Sequence, residues 1–409
     1  MSPSVVEGRA RGWPPLQSAL AGEAGWVARA QSLLPVVAAD AEAIERDRRL
    51  PTALLDHLHA QRLFRMLLPR SVAGAELDPI TFFHVIETVA RADASVAWCL
   101  CQAGGCAMAA AYLEPSAADA IFGRDPRAVL AWGPGPGVRA VRVEGGYRVS
   151  GDWSFASGGR HATWLGAHCP VVQPDGTPLA APDGRRIERT MLVPASAVSW
   201  TDIWETVGLR GTASDRFSLR DHFVPEAHSI TRDHRFECRE PGPLYRLPAN
   251  LLYQVGFAGV ALGIARGALD AFTALAADKV PRGQRNALRD NAVVQSELAQ
   301  AEAGARAARA WLLQSVDEIW QAITLPEARL DMDQRIRVRM ASTHAIHQAR
   351  AAVDRVWNAA GATAIFAAQP LERRFRDIHT VTQQLQGRLS HFETVGAWLL
   401  GADADLTFV

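Results

Sequence analysis

The spacing of apolar positions along the 409-residue chain changes period twice. Leu33, Val36, Val37, Ala41 and Ile44 recur three or four residues apart, which keeps one helix face apolar. Pro51 opens a second helix through Leu54, Leu55, Leu58 and Leu63, because proline is pre-set for a first helical turn. Residues 79–92 and 94–113 predict two more helices. Farther on the pattern shortens to alternation. Val138-Arg139-Ala140-Val141-Arg142-Val143 and Tyr147-Arg148-Val149-Ser150 read as antiparallel strands, with a hairpin turn over Val143-Glu144-Gly145-Gly146-Tyr147. Residues 190–193 and 216–224 predict later strands. Helical period returns over residues 254–275, 291–315, 332–360 and 377–400. There Ala299, Ala301, Ala303, Ala305, Ala307 and Ala308 permit close helix approach.

The predicted architecture is mostly α with a central β-domain. Residues 1–21, rich in Gly, Pro, Ser and Arg, form a poorly ordered tail. Residues 22–126 form an N-terminal helical domain, 127–229 a β-sandwich or barrel, and 230–409 a C-terminal four-helix bundle. Residues 94–113 carry no charge and have the length of a membrane span. A helix buried on all sides has the same pattern, and Asp93 and Glu114 bracket the segment, so we expect a core helix and no membrane.

Lys plus Arg and Asp plus Glu number 43 each, which gives the whole chain no electrostatic pull on nucleic acid. Near-zero charge and Ala-rich bundle faces point to a homo-oligomer. Five cysteines without paired spacing argue against a disulfide framework, and Cys99-Leu100-Cys101 lacks zinc-knuckle spacing. The first thirteen residues hold no apolar run after their arginines, so a secretory signal is not expected and a cytoplasmic location is.

Gly151-Asp152-Trp153-Ser154-Phe155-Ala156-Ser157-Gly158 resembles the segment beside the flavin ring in proteins of the acyl-CoA dehydrogenase fold. Its Trp-Ser-Phe-x-Ser-Gly form is similar to the flavin-dependent monooxygenase branch. That branch includes the oxygenase component of 4-hydroxyphenylacetate hydroxylase, dibenzothiophene and steroid-ring hydroxylases, and amino-sugar nitrososynthases. Three other segments look like signatures of the same branch. They are Arg91-Ala92-Asp93-Ala94-Ser95-Val96-Ala97-Trp98, then Val207-Gly208-Leu209-Arg210-Gly211-Thr212-Ala213-Ser214 with Phe223-Val224-Pro225-Glu226, and Arg373-Arg374-Phe375-Arg376-Asp377-Ile378-His379-Thr380. The resemblance covers nearly the whole chain in the right order.

The resemblance implies an oxygenase that takes reduced FMN or FAD from a separate NAD(P)H:flavin reductase. Oxygen adds at flavin C4a as a hydroperoxide and oxidises a small organic molecule, and the assembly is a homotetramer. Trp153 and Phe155, with Trp132, would line the ring. Ser157 would offer its hydroxyl or N–H near N5, next to Gly158. Arg285 would reach the phosphate end from a neighbouring subunit, although Leu288 stands where the family has an aromatic. Gly361 would form the small-residue turn near the cofactor.

Two histidines used by the family's phenol hydroxylases are replaced. The first-domain position, eight residues after Trp98 in the substrate pocket, is Cys106, and the position after Gln383 is Gln384. His379 and His161 remain candidate bases, with structural alternatives: His379 paired to Asp377, and His161 in an exposed turn. Arg210 and Asp377 could also be a buried structural pair. A substrate oxidised at nitrogen or sulfur does not need the missing base. Residues 380–387 lack the carboxylate that an acyl-CoA dehydrogenase would use to take an α-proton. A flavin dehydrogenase and a flavin-free binding or assembly protein stand as the alternative readings.

Overall fold

A computed structural model describes residues 23–181, 184–231, 237–325, 329–407 and 409, so the predicted tail at 1–21 lies outside the described residues. The first part contains α1 (Glu23–Ala39), α2 (Ala41–Asp47), α3 (Thr52–Ala60), α4 (Pro79–Ala90), α5 (Ala94–Ala107) and α6 (Pro115–Ala118). The apolar run from Leu33 to Ile44 is split between α1 and α2 by a turn at Asp40. The Asp78 carboxylate caps α4 by accepting from the N–H groups of Ile80 and Thr81, and Asp93 caps α5 through Ser95 and Val96. The uncharged stretch Ala94–Tyr112 is a core helix, with 94% of its most apolar window buried.

Among its described residues the second part holds eight strands: β1 (Leu130–Gly133), β2 (Arg139–Val143), β3 (Gly146–Trp153), β4 (Trp164–Val172), β5 (Glu188–Pro194), β6 (Ser199–Thr201), β7 (Arg216–Pro225) and β8 (Ser229–Ile230). The predicted hairpin joins β2 to β3 through Glu144 and Gly145, and Gly145 supplies the positive φ of 74° that this tight turn demands. The strands follow the path β6-β7-β3-β2-β4-β5-β8, with β1 on β4. Among the described residues the path does not close on itself, so the strands form an open sheet and not a closed barrel. One expectation is corrected: β1 and β2 both run parallel to β4, because alternation reports a face and not a strand direction.

The third part is built on three long helices, α7 (Ala249–Asp278), α8 (Ala292–Thr324) and α9 (Met332–Ala360). The single helix expected over 377–400 is instead α10 (Pro370–Thr382) and α11 (Ser390–Leu399). Gln384 caps the short turn between them, its side chain accepting from the Gln386 N–H.

Helices from the first part lie directly on α7. A Cβ at Gly256 would stand 2.4 Å from Cys101 Sγ and 3.0 Å from the Phe82 ring, so glycine lets α4 and α5 approach closely. Arg309 on α8 grips the Glu87 carboxylate of α4 with two hydrogen bonds of 2.7 and 2.8 Å, both side chains about nine-tenths buried. Removing one member of a buried ion pair strands the other's charge. Glu87→Ala is therefore expected to destabilise the chain by about 3–5 kcal/mol, read as a lowered urea midpoint.

Candidate active site

The sequence alternation places Trp153 and Phe155 on one face, but β3 ends at Trp153 and the chain then turns. Trp153 is fully buried, stacks on Phe217 (centroids 5.1 Å apart, planes at 12°) and donates its indole N–H to the His168 carbonyl at 3.1 Å. It fills the β core and shows no open face, which corrects its expected place along the ring. Phe155 adopts φ of 60°, a conformation that costs a bulky residue about 1–2 kcal/mol. Its ring is 60% exposed and meets Trp204 edge-on at 6.0 Å.

Three backbone bonds hold the strained turn. Ser154 N–H donates to Pro134 O at 2.9 Å, Ala156 N–H to Asp215 O at 3.2 Å, and Gly158 N–H to Thr212 O at 2.9 Å. Surroundings that over-determine a strained backbone are a mark of functional sites. An isoalloxazine ring needs a flat apolar surface and a few fixed hydrogen bonds. The Phe155 ring and the Ser157 hydroxyl, two residues apart, offer both, so these residues fit a flavin.

Ser157 is buried where the first and second parts meet, and hydrogen bonds lead from it to the third. Trp98 of α5 donates its indole N–H to Ser157 Oγ at 3.0 Å. Ser157 Oγ lies 2.6 Å from Ser214 Oγ, which lies 2.7 Å from Thr212 Oγ1. Thr212 in turn donates to the Leu209 carbonyl at 2.9 Å. The Leu209 N–H donates to the Asp377 carboxyl of α10 at 2.7 Å. Ser214 and Thr212 stood in the quoted Gly-Thr-Ala-Ser motif, but sequence reasoning gave them no role. Two hydroxyls two residues apart were the available signal.

An aromatic wall extends from Trp98. Its ring packs on Phe257 at 4.1 Å, and Phe257 stacks on Tyr253 at 5.7 Å. A Cβ on Gly105 would stand 2.4 Å from the Tyr253 ring, so glycine admits that ring. Cys106 is fully buried, with Sγ 3.5 Å from the Tyr253 hydroxyl and 3.6 Å from Gln102 Nε2. Gln102 Nε2 also reaches the carbonyl of buried Trp132, whose ring meets His168 edge-on at 5.0 Å. Tyr253, Phe257 and Gln102 were not singled out from sequence.

The other expected residues lie elsewhere. His379 bonds Asp354 of α9 at 2.9 Å, not Asp377. His161 does not point into solvent: its Nε2 is buried and unpartnered, facing Gly158, and burial pushes the imidazole down to about 4. Gln384 is the cap between α10 and α11. Arg210 stands 3.7 Å from Glu45, so the expected Arg210–Asp377 pair does not form. Arg285 is exposed on the loop after α7, and Gly361 (φ 59°) ends α9. Lys279 bonds the Ala360 carbonyl and brings these two regions to one end of the bundle. The five cysteines are free, and no metal-binding cluster of His, Cys, Asp or Glu occurs among the described residues.

The order of parts, helices then strands then long helices, is that of the acyl-CoA dehydrogenase fold. That family's N-terminal domain matches residues 30–115, and its C-terminal domain matches residues 255–386. The chain is 29% identical over 357 residues to an indole-3-acetate monooxygenase of Pseudomonas putida, covering 87% of this chain and 89% of that one. It is 27% identical over 395 residues to the oxygenase component of an FADH(2)-dependent resorcinol hydroxylase of a Rhizobium species, covering 92% and 94%. The structure of XiaF from a Streptomyces species, in complex with FADH2 and glycerol, superposes with a TM-score of 0.87 at 27% identity, covering 94% and 97%. The chain belongs to the flavin-dependent monooxygenases of the acyl-CoA dehydrogenase fold.

Asp377 links the site to pH. Burial, and then the nearby Asp93, push its carboxyl up from 3.8 to about 7. Between those values the folded chain holds a proton that the unfolded chain releases. This contribution to stability is full below the unfolded value and lost as pH rises through the folded one. Asp377→Asn keeps an acceptor for the Leu209 N–H and cannot ionise. Urea midpoints between about pH 5 and about pH 8 should fall less in the variant, leaving it more stable at the upper end by on the order of a few kcal/mol.

Proposed function

We propose that this chain is the oxygenase component of a two-component system, fed with reduced FMN or FAD by a separate NAD(P)H:flavin reductase. The chain is an oxidoreductase that uses flavin and molecular oxygen. The observation that carries the reading is the pairing of an exposed, strained Phe155 ring with a buried Ser157 hydroxyl where the first and second parts meet. When bound, reduced flavin supplies two electrons to dioxygen, and one oxygen atom goes to substrate and the other to water. Phe155 would pack along the ring and Ser157 would hold its N5 edge, with the Gly158 turn keeping both in place. Trp98, Phe257 and Tyr253 form an apolar wall that excludes water from the oxygen-transfer zone.

That wall suits a small planar aromatic substrate. With Cys106 at one expected histidine position and a turn-capping Gln384 at the other, neither of the two family imidazoles is there to deprotonate a phenol. We propose a substrate oxidised at an electron-rich heteroaromatic ring or at a heteroatom. The relatives named for indole-3-acetate support this, and the resorcinol hydroxylase names the competing class.

Exposed Val280, Ile365 and Phe366 flank the loop of Arg285 and the turn at Gly361. This apolar edge supports a homotetramer in which Arg285 and Gly361 serve the flavin of a neighbouring copy. Sedimentation of the purified chain should show a four-chain species, and a monomer would remove this part of the proposal.

The main test is anaerobic titration with reduced FMN and FAD, then mixing with oxygen and heteroaromatic or phenolic compounds while following oxygen-18 into product. Label in a heteroaromatic product supports the reading, and robust labelling of simple phenols overturns the substrate class. Phe155→Gly sharpens the test. It relieves about 1–2 kcal/mol of strain but adds freedom to the unfolded chain, so stability should move by no more than about 1 kcal/mol. Flavin affinity should fall about tenfold from lost ring contact.

A further inference from the structure

Each hydroxyl carries one hydrogen, and the hydroxyl chain that starts at Ser157 ends on a group that can only accept. The Leu209 carbonyl has no proton to give, so the Thr212 hydrogen points at it. Thr212 Oγ1 can then only accept from Ser214. The single Ser214 hydrogen is thereby used, and Ser214 Oγ accepts from Ser157. On the other side the Trp98 indole N–H is a donor only, aimed at Ser157 Oγ. The Ser157 hydrogen is therefore spent, one lone pair is taken, and one lone pair is left. The Ser157 backbone N–H is also engaged, donating to Phe155 O at 2.9 Å within the tight turn. Ser214 and Thr212 are each 1% exposed, so bulk water does not compete for their hydrogens.

We infer that Ser214 and Thr212 are positioning residues that hold the Ser157 hydroxyl as a hydrogen-bond acceptor, and that this sets the site's preference for reduced over oxidised flavin. The inference rests on the flavin reading above and assigns the redox selectivity of that site to residues outside the ring's own contacts. The reduced ring carries a hydrogen on N5 and donates. The oxidised ring presents a bare N5 lone pair and accepts. An acceptor-only serine bonds the first and sets lone pair against lone pair with the second.

The experiment measures dissociation constants of the full chain for oxidised and for reduced FMN and FAD, the latter anaerobically. It uses the unmodified chain, Ser214→Ala, Thr212→Val and Thr212→Ser. The unmodified chain should bind the reduced form more tightly. Ser214→Ala removes the acceptor of the Ser157 hydrogen. Thr212→Val frees the Ser214 hydrogen to turn back on Ser157. Either change lets Ser157 donate toward the ring, so the reduced-to-oxidised preference should drop by about tenfold, the effect of about one buried hydrogen bond. Thr212→Ser keeps the chain of hydrogens and should keep the preference.

General loosening of the turn weakens both redox forms alike and leaves the ratio unmoved. An unchanged ratio in Ser214→Ala and Thr212→Val overturns the inference while the flavin reading stands. An unmodified chain that binds no flavin in either state overturns that reading and this inference together.

Discussion

Leu209 is gripped through both of its peptide groups, and the arrangement of the site depends on that grip. Its N–H is taken by Asp377 of α10, and its carbonyl by the Thr212 hydroxyl and the Trp204 indole. A carboxyl buried this deeply needs its donor, because leaving it bare costs more than the bond returns. The loop approaches α10 so closely that a Cβ on Gly208 would stand 2.4 Å from the Arg376 carbonyl. Seated there, the loop clamps the Phe155–Gly158 turn through Thr212 and Asp215, while Trp98 reaches Ser157 from α5. One polar line thus crosses all three parts, and it is what keeps a left-handed phenylalanine from relaxing.

Periodicity showed the order of helices, strands and helices because that signal is local and repeats over many residues. It failed where the deciding contact is remote. The break between α10 and α11 is set by a Gln384 cap, which no apolar pattern registers. His379 finds Asp354 instead of Asp377 because the packing of α9 on α10 decides which carboxylate it faces. Trp153 and Phe155 share a face only while the strand lasts, and the positive φ after Trp153 turns them apart. Ser157 was legible through its motif. The direction of its hydroxyl was not, since that depends on Ser214, Thr212 and a carbonyl more than fifty residues downstream in sequence.

The turn that carries Phe155 and Ser157 lies outside the two stretches that match the family's domains. The family's two matched domains cover residues 30–115 and 255–386, and Phe155, Ser157, Thr212 and Ser214 all lie between them. The matched domains also contribute, through Trp98, Phe257 and Asp377, but as walls and anchors.

The uncharged helix at Ala94–Tyr112 bears on how the protein is made. One side of it is covered by α4, already made, and another by α7, where Gly256 meets Cys101 and Tyr253 meets Gly105. During synthesis α5 leaves the ribosome long before residue 278 is translated, so a segment with the polarity of a membrane span waits in water for its partner. Chains grow at about 5–20 residues per second, which makes that interval roughly 8–33 seconds. The nascent protein is then most open to misassociation and in most need of a chaperone's shelter, and slowing translation between α5 and α7 lengthens the exposure.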